Sequence, residues 1–124
     1  MKIVTIIARV LLGLAFTVFG LNFFLHFLPQ PPPPPGLAGD YIKVFVASGL
    51  ANVIGAIQLL IGVLLLIGRF VPLALTMLAA MIFNILVFHI LMEPAGIVPG
   101  AITTLLWAIV FWSYRDRFAG ILSA

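Results

Sequence analysis

Apolar positions fall in four long runs along the chain, and the polar and helix-breaking positions collect between them. The runs extend from about Ile3 to Leu28, Tyr41 to Ile67, Phe70 to Met92 and Ile97 to Tyr114. They are too long and too uniformly apolar for barrel strands. Each suits a helix of roughly 20 residues crossing a hydrocarbon core about 30 Å thick. Lipid offers no partner to an open backbone, so helices are the elements expected. The breaks are legible. PQPPPPPG (Pro29 to Gly36) opens an outer loop over residues 29–40, because proline lacks the donor and clashes with the preceding turn. Gly68-Arg69 makes a tight turn, and Glu93-Pro94-Ala95-Gly96 separates the last two runs. The expected fold is all-α, a single transmembrane domain over residues 1–124 built as a four-helix bundle.

Composition strengthens that picture. Of 124 residues, 65% are hydrophobic and 7% charged, and a soluble domain of this size needs a far more charged surface. The chain has no cysteine, which excludes disulfides, thiol exchange and thiolate-held metal or iron–sulfur centres on this chain. The net charge of +3 forms no basic stripe, so a nucleic-acid partner is not expected.

The basic residues suggest a direction. Lys2, Arg9, Arg69, Arg115 and Arg117 fall on one face of the expected bundle; Lys43, with Asp40 and Glu93, falls on the other. The positive-inside rule then places both termini and the Gly68-Arg69 turn in the cytoplasm, and the proline loop and the Glu93-Pro94 turn outside. Lys2 and Arg9 resemble the basic region of a signal peptide, but the apolar run is long and no small-residue cleavage site follows it. The first run is expected to be a retained helix.

Depth adds a candidate site. Counting about 1.5 Å per residue from the outer end of each run puts His26 about 3 Å deep and Asn22 about 9 Å. Ser48 and Asn52 fall about 10 and 15 Å deep, His89 and Asn84 about 5 and 12 Å, and Thr103 and Thr104 about 10 Å. Polar side chains in a membrane usually face the bundle interior or a wet cavity. The shared depth therefore predicts one polar pocket in the outer leaflet, formed by Asn22, His26, Asn52, Asn84, His89, Glu93, Thr103 and Thr104. Interhelical hydrogen bonding is the plainer account of the same asparagines and threonines. Asn22 and His26 share a helix face, as do His89 and Glu93, whose carboxylate is placed to orient the imidazole. Gln58 falls near mid-membrane.

The same histidines raise two cofactor readings. Bis-histidine haem suits a four-helix bundle, but only Lys43 lies near the outer end to hold propionates. His26, His89 and Glu93 are suitable metal ligands without a tight spacing motif. Neither reading is preferred; a quinone, its carbonyls hydrogen-bonded by Asn22, His26, Asn84 and His89, is a further ligand the polar layer admits.

Other features read structurally. Arg9, about two turns into the first helix, either snorkels to the surface or pairs with a neighbouring helix or headgroup. Gly13 and Gly20, then Ala47, Ala51, Gly55 and Gly62, mark faces for close helix approach. The order Arg9, Asn22, His26, Pro29 loosely repeats as Arg69, Asn84, His89, Pro94. A duplicated two-helix unit explains this and makes the two histidines pseudo-equivalent. The proline run is expected to be an extended polyproline strap over the outer face.

With ARVLLGLAFTVFGLNFFLHF, IGAIQLLIGVLLLIGRFVPLAL and FNILVFHI in view, the chain resembles the DoxX-like family of small four-helix bacterial membrane proteins over nearly its whole length. The resemblance implies an accessory or scaffold subunit that serves membrane or periplasmic redox proteins. It supplies no catalytic residues. Two alternatives stand beside it: a binding protein for a quinone or other lipophilic molecule, and a small-solute transporter working as a homo-oligomer.

Overall fold

The computed structural model describes residues 2–29, 32–121 and 123. Five α-helices follow in order: α1 (Ile3–Leu25), α2 (Leu37–Ala47), α3 (Leu50–Ile67), α4 (Val71–Leu91) and α5 (Ile97–Ser113). Short 3-10 turns at Pro94–Gly96 and Arg115–Phe118 flank α5, and no strand occurs among the described residues. Among the described residues four helices are long and apolar enough to cross a membrane: α1, α3, α4, and α5 with the turn before it. They form a ring in which α1 packs on α3 and α5, and α4 packs on the same two. The hydroxyls of Thr5 and Ser113 hydrogen-bond across α1 and α5 at 2.6 Å, so the two ends of the chain meet at one end of the bundle.

The second apolar run departs from expectation. It is not one helix from Tyr41 to Ile67 but two, α2 and α3, broken at Ser48-Gly49. Gly49 is left-handed, with φ +85°, a conformation that suits glycine. The Ser48 hydroxyl donates to the Phe45 carbonyl and accepts from the Leu50 N–H, both at 3.3 Å, replacing helical partners with local ones. At 11 residues α2 is about 16 Å long, too short to span. The loop expected over 29–40 is correspondingly shorter, because α2 begins at Leu37. Its proline strap falls partly on Gln30 and Pro31, outside the described residues. Pro33 and Pro34 pack against Gly39 in the first turn of α2.

The first helix also stops early, at Leu25 rather than Leu28. His26 takes a left-handed conformation with φ 51°, and its N–H bonds the Asn22 carbonyl at 2.9 Å. The Leu28 N–H then donates to Asn22 Oδ1 at 2.9 Å. One asparagine thus closes the helix through both backbone and side chain. The third and fourth runs differ from α4 and α5 only by the fraying usual at helix ends.

Glycines set the closest contact, between α1 and α3. Gly13 faces Gly62, and Gly20 faces Gly55, in antiparallel register. A Cβ on Gly62 would stand 2.5 Å from the Thr17 backbone nitrogen and 2.9 Å from the Gly13 carbonyl oxygen. One on Gly20 would stand 2.7 Å from Leu59 nitrogen and 2.9 Å from the Gly55 oxygen. In lipid, where helix association depends on packing, such approach supplies dispersion contacts that bulkier residues forbid. Ala47, the outermost small residue expected on this face, lies on α2 beyond the break and is exposed.

The packed core lies toward the end where the termini meet. Ala8, Leu12 and Phe16 of α1 meet Ile61 and Leu65 of α3, Val71 to Leu78 of α4, and Val110 of α5. Trp107 on α5 donates its indole N–H to the Leu75 carbonyl at 2.9 Å, binding α5 to α4. Large side chains such as Phe19, Val53, Phe83 and Leu105 point outward, as lipid permits.

Candidate functional site

At the opposite end the four spans do not close on themselves. A cavity of about 490 Å³ opens between α3 and α4, with α2 laid across it. Tyr41, Ile42 and Phe45 reach in from α2, Phe23 from α1, and Leu50, Ile54 and Gln58 from α3. Met81, Asn84, Ile85, Phe88 and His89 come from α4, and Glu93 sits just beyond its end. From His89 to Met81 the cavity runs about 12 Å along α4. Below it the interior is filled by Ile61, Leu65, Leu78 and Ile82.

The wall is aromatic. Tyr41 and Phe45, one turn apart on α2, stack with centroids 5.9 Å apart. Phe45 meets Phe23 edge-on at 6.2 Å, and Tyr41 meets Phe88 at 5.2 Å. Phe88 and His89 stand edge to face at 5.1 Å. These contacts tie α2 to α1 and α4, and they hold the roof helix by ring packing.

His89 is held from its backbone side. Its Nδ1 lies 3.2 Å from the Glu93 carbonyl oxygen. A carbonyl only accepts, so Nδ1 carries the proton and Nε2 is left as an acceptor. The expected pairing of His89 with the Glu93 carboxylate is replaced by this main-chain bond; the Glu93 N–H returns one to the His89 carbonyl at 3.2 Å. Gly96 makes the arrangement possible, since a Cβ there would stand 2.8 Å from His89 Cε1.

Two amides complete the site. Asn84 Nδ2 donates to the Ala80 carbonyl at 2.9 Å, which leaves Oδ1 and the second N–H for another partner. Gln58, half-buried on the facing helix, has no hydrogen bond from its side chain among the described residues. A polar group in this setting is costly unless something in the cavity meets it.

Of the eight residues that sequence depth brings to one pocket, Asn84, His89 and Glu93 line the cavity. The other five lie elsewhere. Asn22 is engaged in ending α1, and His26 is exposed at that helix end. Asn52 falls in the first turn of α3 and is exposed, because the break at Ser48-Gly49 removes the helical turns from which its depth was counted. Thr103 and Thr104 donate to the Pro99 and Gly100 carbonyls of their own helix, at 2.9 and 2.8 Å. The two histidines are therefore not equivalent around one cavity, as the loose repeat implies, nor placed to share a haem. Among the described residues no three metal-ligating side chains come together, so His26, His89 and Glu93 form no ligand set.

Sequence depth missed the aromatic wall and undervalued Gln58. The four-residue spacing of Tyr41 and Phe45 beside Asp40 and Lys43 carried the signal for an amphipathic roof. Comparison with family models, curated proteins and solved structures gives no match for this chain.

Proposed function

We propose that this multi-pass membrane protein binds a flat, lipophilic molecule bearing hydrogen-bonding oxygens, of the quinone class, in the cavity under α2. The observation that carries the reading is the pairing, across one aromatic cavity, of the uncommitted Gln58 amide on α3 with His89 Nε2 on α4. Its volume lies within the 300–1,000 Å³ usual for small-molecule sites, and apolar walls with a few convergent polar groups suit such a ligand. An aromatic ring stacks on Tyr41, Phe45 or Phe88. A carbonyl accepts from Gln58 or Asn84, and a hydroxyl donates to His89 Nε2. Glu93 at the mouth offers a second proton acceptor.

The filled interior below Met81 supports binding over passage of a solute. The distribution of Lys2, Arg9, Arg69, Arg115 and Arg117 supports cytoplasmic termini and a cavity in the periplasmic leaflet of a bacterial inner membrane. The resemblance to the DoxX-like family supports a place beside membrane or periplasmic redox proteins, to which the bound molecule would be presented. In that setting the accessory-subunit and ligand-binding readings become one.

The test is titration of a short-tailed benzoquinol, kept reduced under anaerobic conditions so that its hydroxyls can donate, into the protein in nanodiscs, read by isothermal calorimetry. Gln58→Leu and His89→Phe are each expected to weaken binding roughly fivefold, the worth of one hydrogen bond. His26→Ala leaves it unchanged. Equal binding by wild type and the Gln58→Leu/His89→Phe double variant rejects the proposal.

A further inference from the structure

A second recess lies at the other end of the bundle, between α1 and α5. It has a volume of about 880 Å³ and is lined by Lys2, Val4, Thr5, Ala108, Ile109, Trp112, Ser113 and Arg115. Its composition is graded. Val4, Ala108 and Ile109 make apolar walls along the two helices, while Lys2 and Arg115 supply positive charge at the helix ends.

Arg115 is positioned rather than free. Its Nη1 donates to the Trp112 carbonyl at 2.6 Å, and its guanidinium carbon lies 4.4 Å from the centroid of the Trp112 ring. That contact orders a side chain which otherwise samples many rotamers, and four of the five guanidinium N–H groups remain for an anion. The Thr5–Ser113 pair adds another donor. One hydroxyl donates to the other across 2.6 Å, and the accepting hydroxyl keeps its own proton with no second partner among the described residues. Arg9, by contrast, is engaged with carbonyls of α3 and is absent from the recess.

We infer that the α1–α5 recess binds an anionic phospholipid. The phosphate sits between Lys2 and Arg115, a glycerol or ester oxygen accepts from the Thr5–Ser113 pair, and an acyl chain follows Val4, Ala108 and Ile109. Charge complementarity selects the headgroup. The apolar walls select a lipid over a soluble phosphate, because a soluble anion leaves them wet.

The inference is tested by extracting the protein gently from vesicles of equal phosphatidylglycerol and phosphatidylcholine with matched chains. Retained lipid is counted by native mass spectrometry. Wild type is expected to keep phosphatidylglycerol in preference to phosphatidylcholine. Arg115→Ala and Lys2→Ala each lower that preference roughly fivefold. Arg115→Lys keeps more of it than Arg115→Ala. Arg69→Ala, which removes a charge from the same end but outside the recess, leaves it unchanged. Circular dichroism confirms that each variant retains its helices. Equal retention of the two lipids by wild type overturns the inference, and so do equal losses in Arg69→Ala and Arg115→Ala, which indicate diffuse attraction.

Discussion

Arg9 on α1 donates through Nη1 to the main-chain carbonyl of Leu65 on α3, and also reaches the Leu66 carbonyl at 3.4 Å. Helix α3 ends at Ile67, so these are among the carbonyls that no intrahelical N–H satisfies. A guanidinium at a helix C-terminus also meets the negative end of the helix dipole. Of the two roles open to Arg9 in the sequence, pairing with a neighbouring helix is the one its side chain adopts. Gly68, with φ +69°, leaves the space: a Cβ there would stand 2.9 Å from Arg9 Nη1.

Replacing Arg9 with Met keeps the aliphatic stem and strips the donors, leaving the carbonyls of Leu65 and Leu66 without them. The expected cost is about 1.5 to 3 kcal/mol, the range for hydrogen bonds to charged groups. Arg9→Lys retains the charge but not the fork, and should recover part of that loss. Steric-trapping measurements of unfolding in bicelles give both values. A loss below about 0.5 kcal/mol for Arg9→Met would show that the guanidinium contributes little to this helix end.

The α1–α3 contact predicts a second outcome. At Gly62 an added side chain meets Thr17 backbone, which cannot swing aside, so Gly62→Val must separate the helices. Overpacking of this kind costs about 1 to 3 kcal/mol or more. Gly49→Ala isolates the other glycine effect. Nothing lies within 4 Å of its Cβ position, so only the left-handed backbone is strained, at about 1 kcal/mol. The same unfolding assay should rank Gly62→Val well below Gly49→Ala in stability.

The four spans were legible because long apolar runs and proline or glycine breaks are strong signals, and Gly68-Arg69 and Glu93 to Gly96 turn where the pattern places them. The candidate site was legible only in part. Counting depth assumes that each run is one straight helix, and Ser48-Gly49 violates that for Asn52. Reading polarity as a pointer to the bundle interior assumes that a polar side chain needs another helix. Thr103 and Thr104 instead donate to the carbonyl four residues back, which meets their need locally, and Asn84 meets part of its need the same way. Hydropathy also hid the amphipathic α2, because Tyr41 and Phe45 merged with the apolar run that follows.

That local pairing sets apart residues the sequence treats alike. Thr103→Val and Thr104→Val remove a hydroxyl together with its only need for a partner, so each should change stability by less than about 0.5 kcal/mol. Asn22→Leu strips the acceptor from the Leu28 N–H and loosens the end of α1. About 1 kcal/mol is expected, as for other lost helix-end bonds. Hydrogen exchange at Leu28 should quicken in Asn22→Leu and stay unchanged in the threonine variants.

Thr17 predicts a gain. Its Oγ1 is buried without a hydrogen-bond partner among the described residues, beside the glycine seam. Valine has nearly the same shape and no polar atom to satisfy, so Thr17→Val should stabilise by up to about 1 kcal/mol. A loss of similar size would mean that the hydroxyl is bonded in the membrane.

Gly96 separates ligand binding from folding. Its φ of −94° is open to any residue, so substitution brings no backbone strain there. The obstacle is the His89 ring, 2.8 Å from the Cβ position at Cε1. A ring on a rotatable side chain can yield, so Gly96→Ala should leave thermal stability within about 0.5 kcal/mol of wild type. The yielding ring breaks its bond to the Glu93 carbonyl and moves Nε2 from the position that bond fixes. Benzoquinol affinity in nanodiscs should then fall about as far as in His89→Phe, roughly fivefold. Unaltered affinity in Gly96→Ala, with His89→Phe impaired, would show that the imidazole binds without the orientation its main-chain bond imposes.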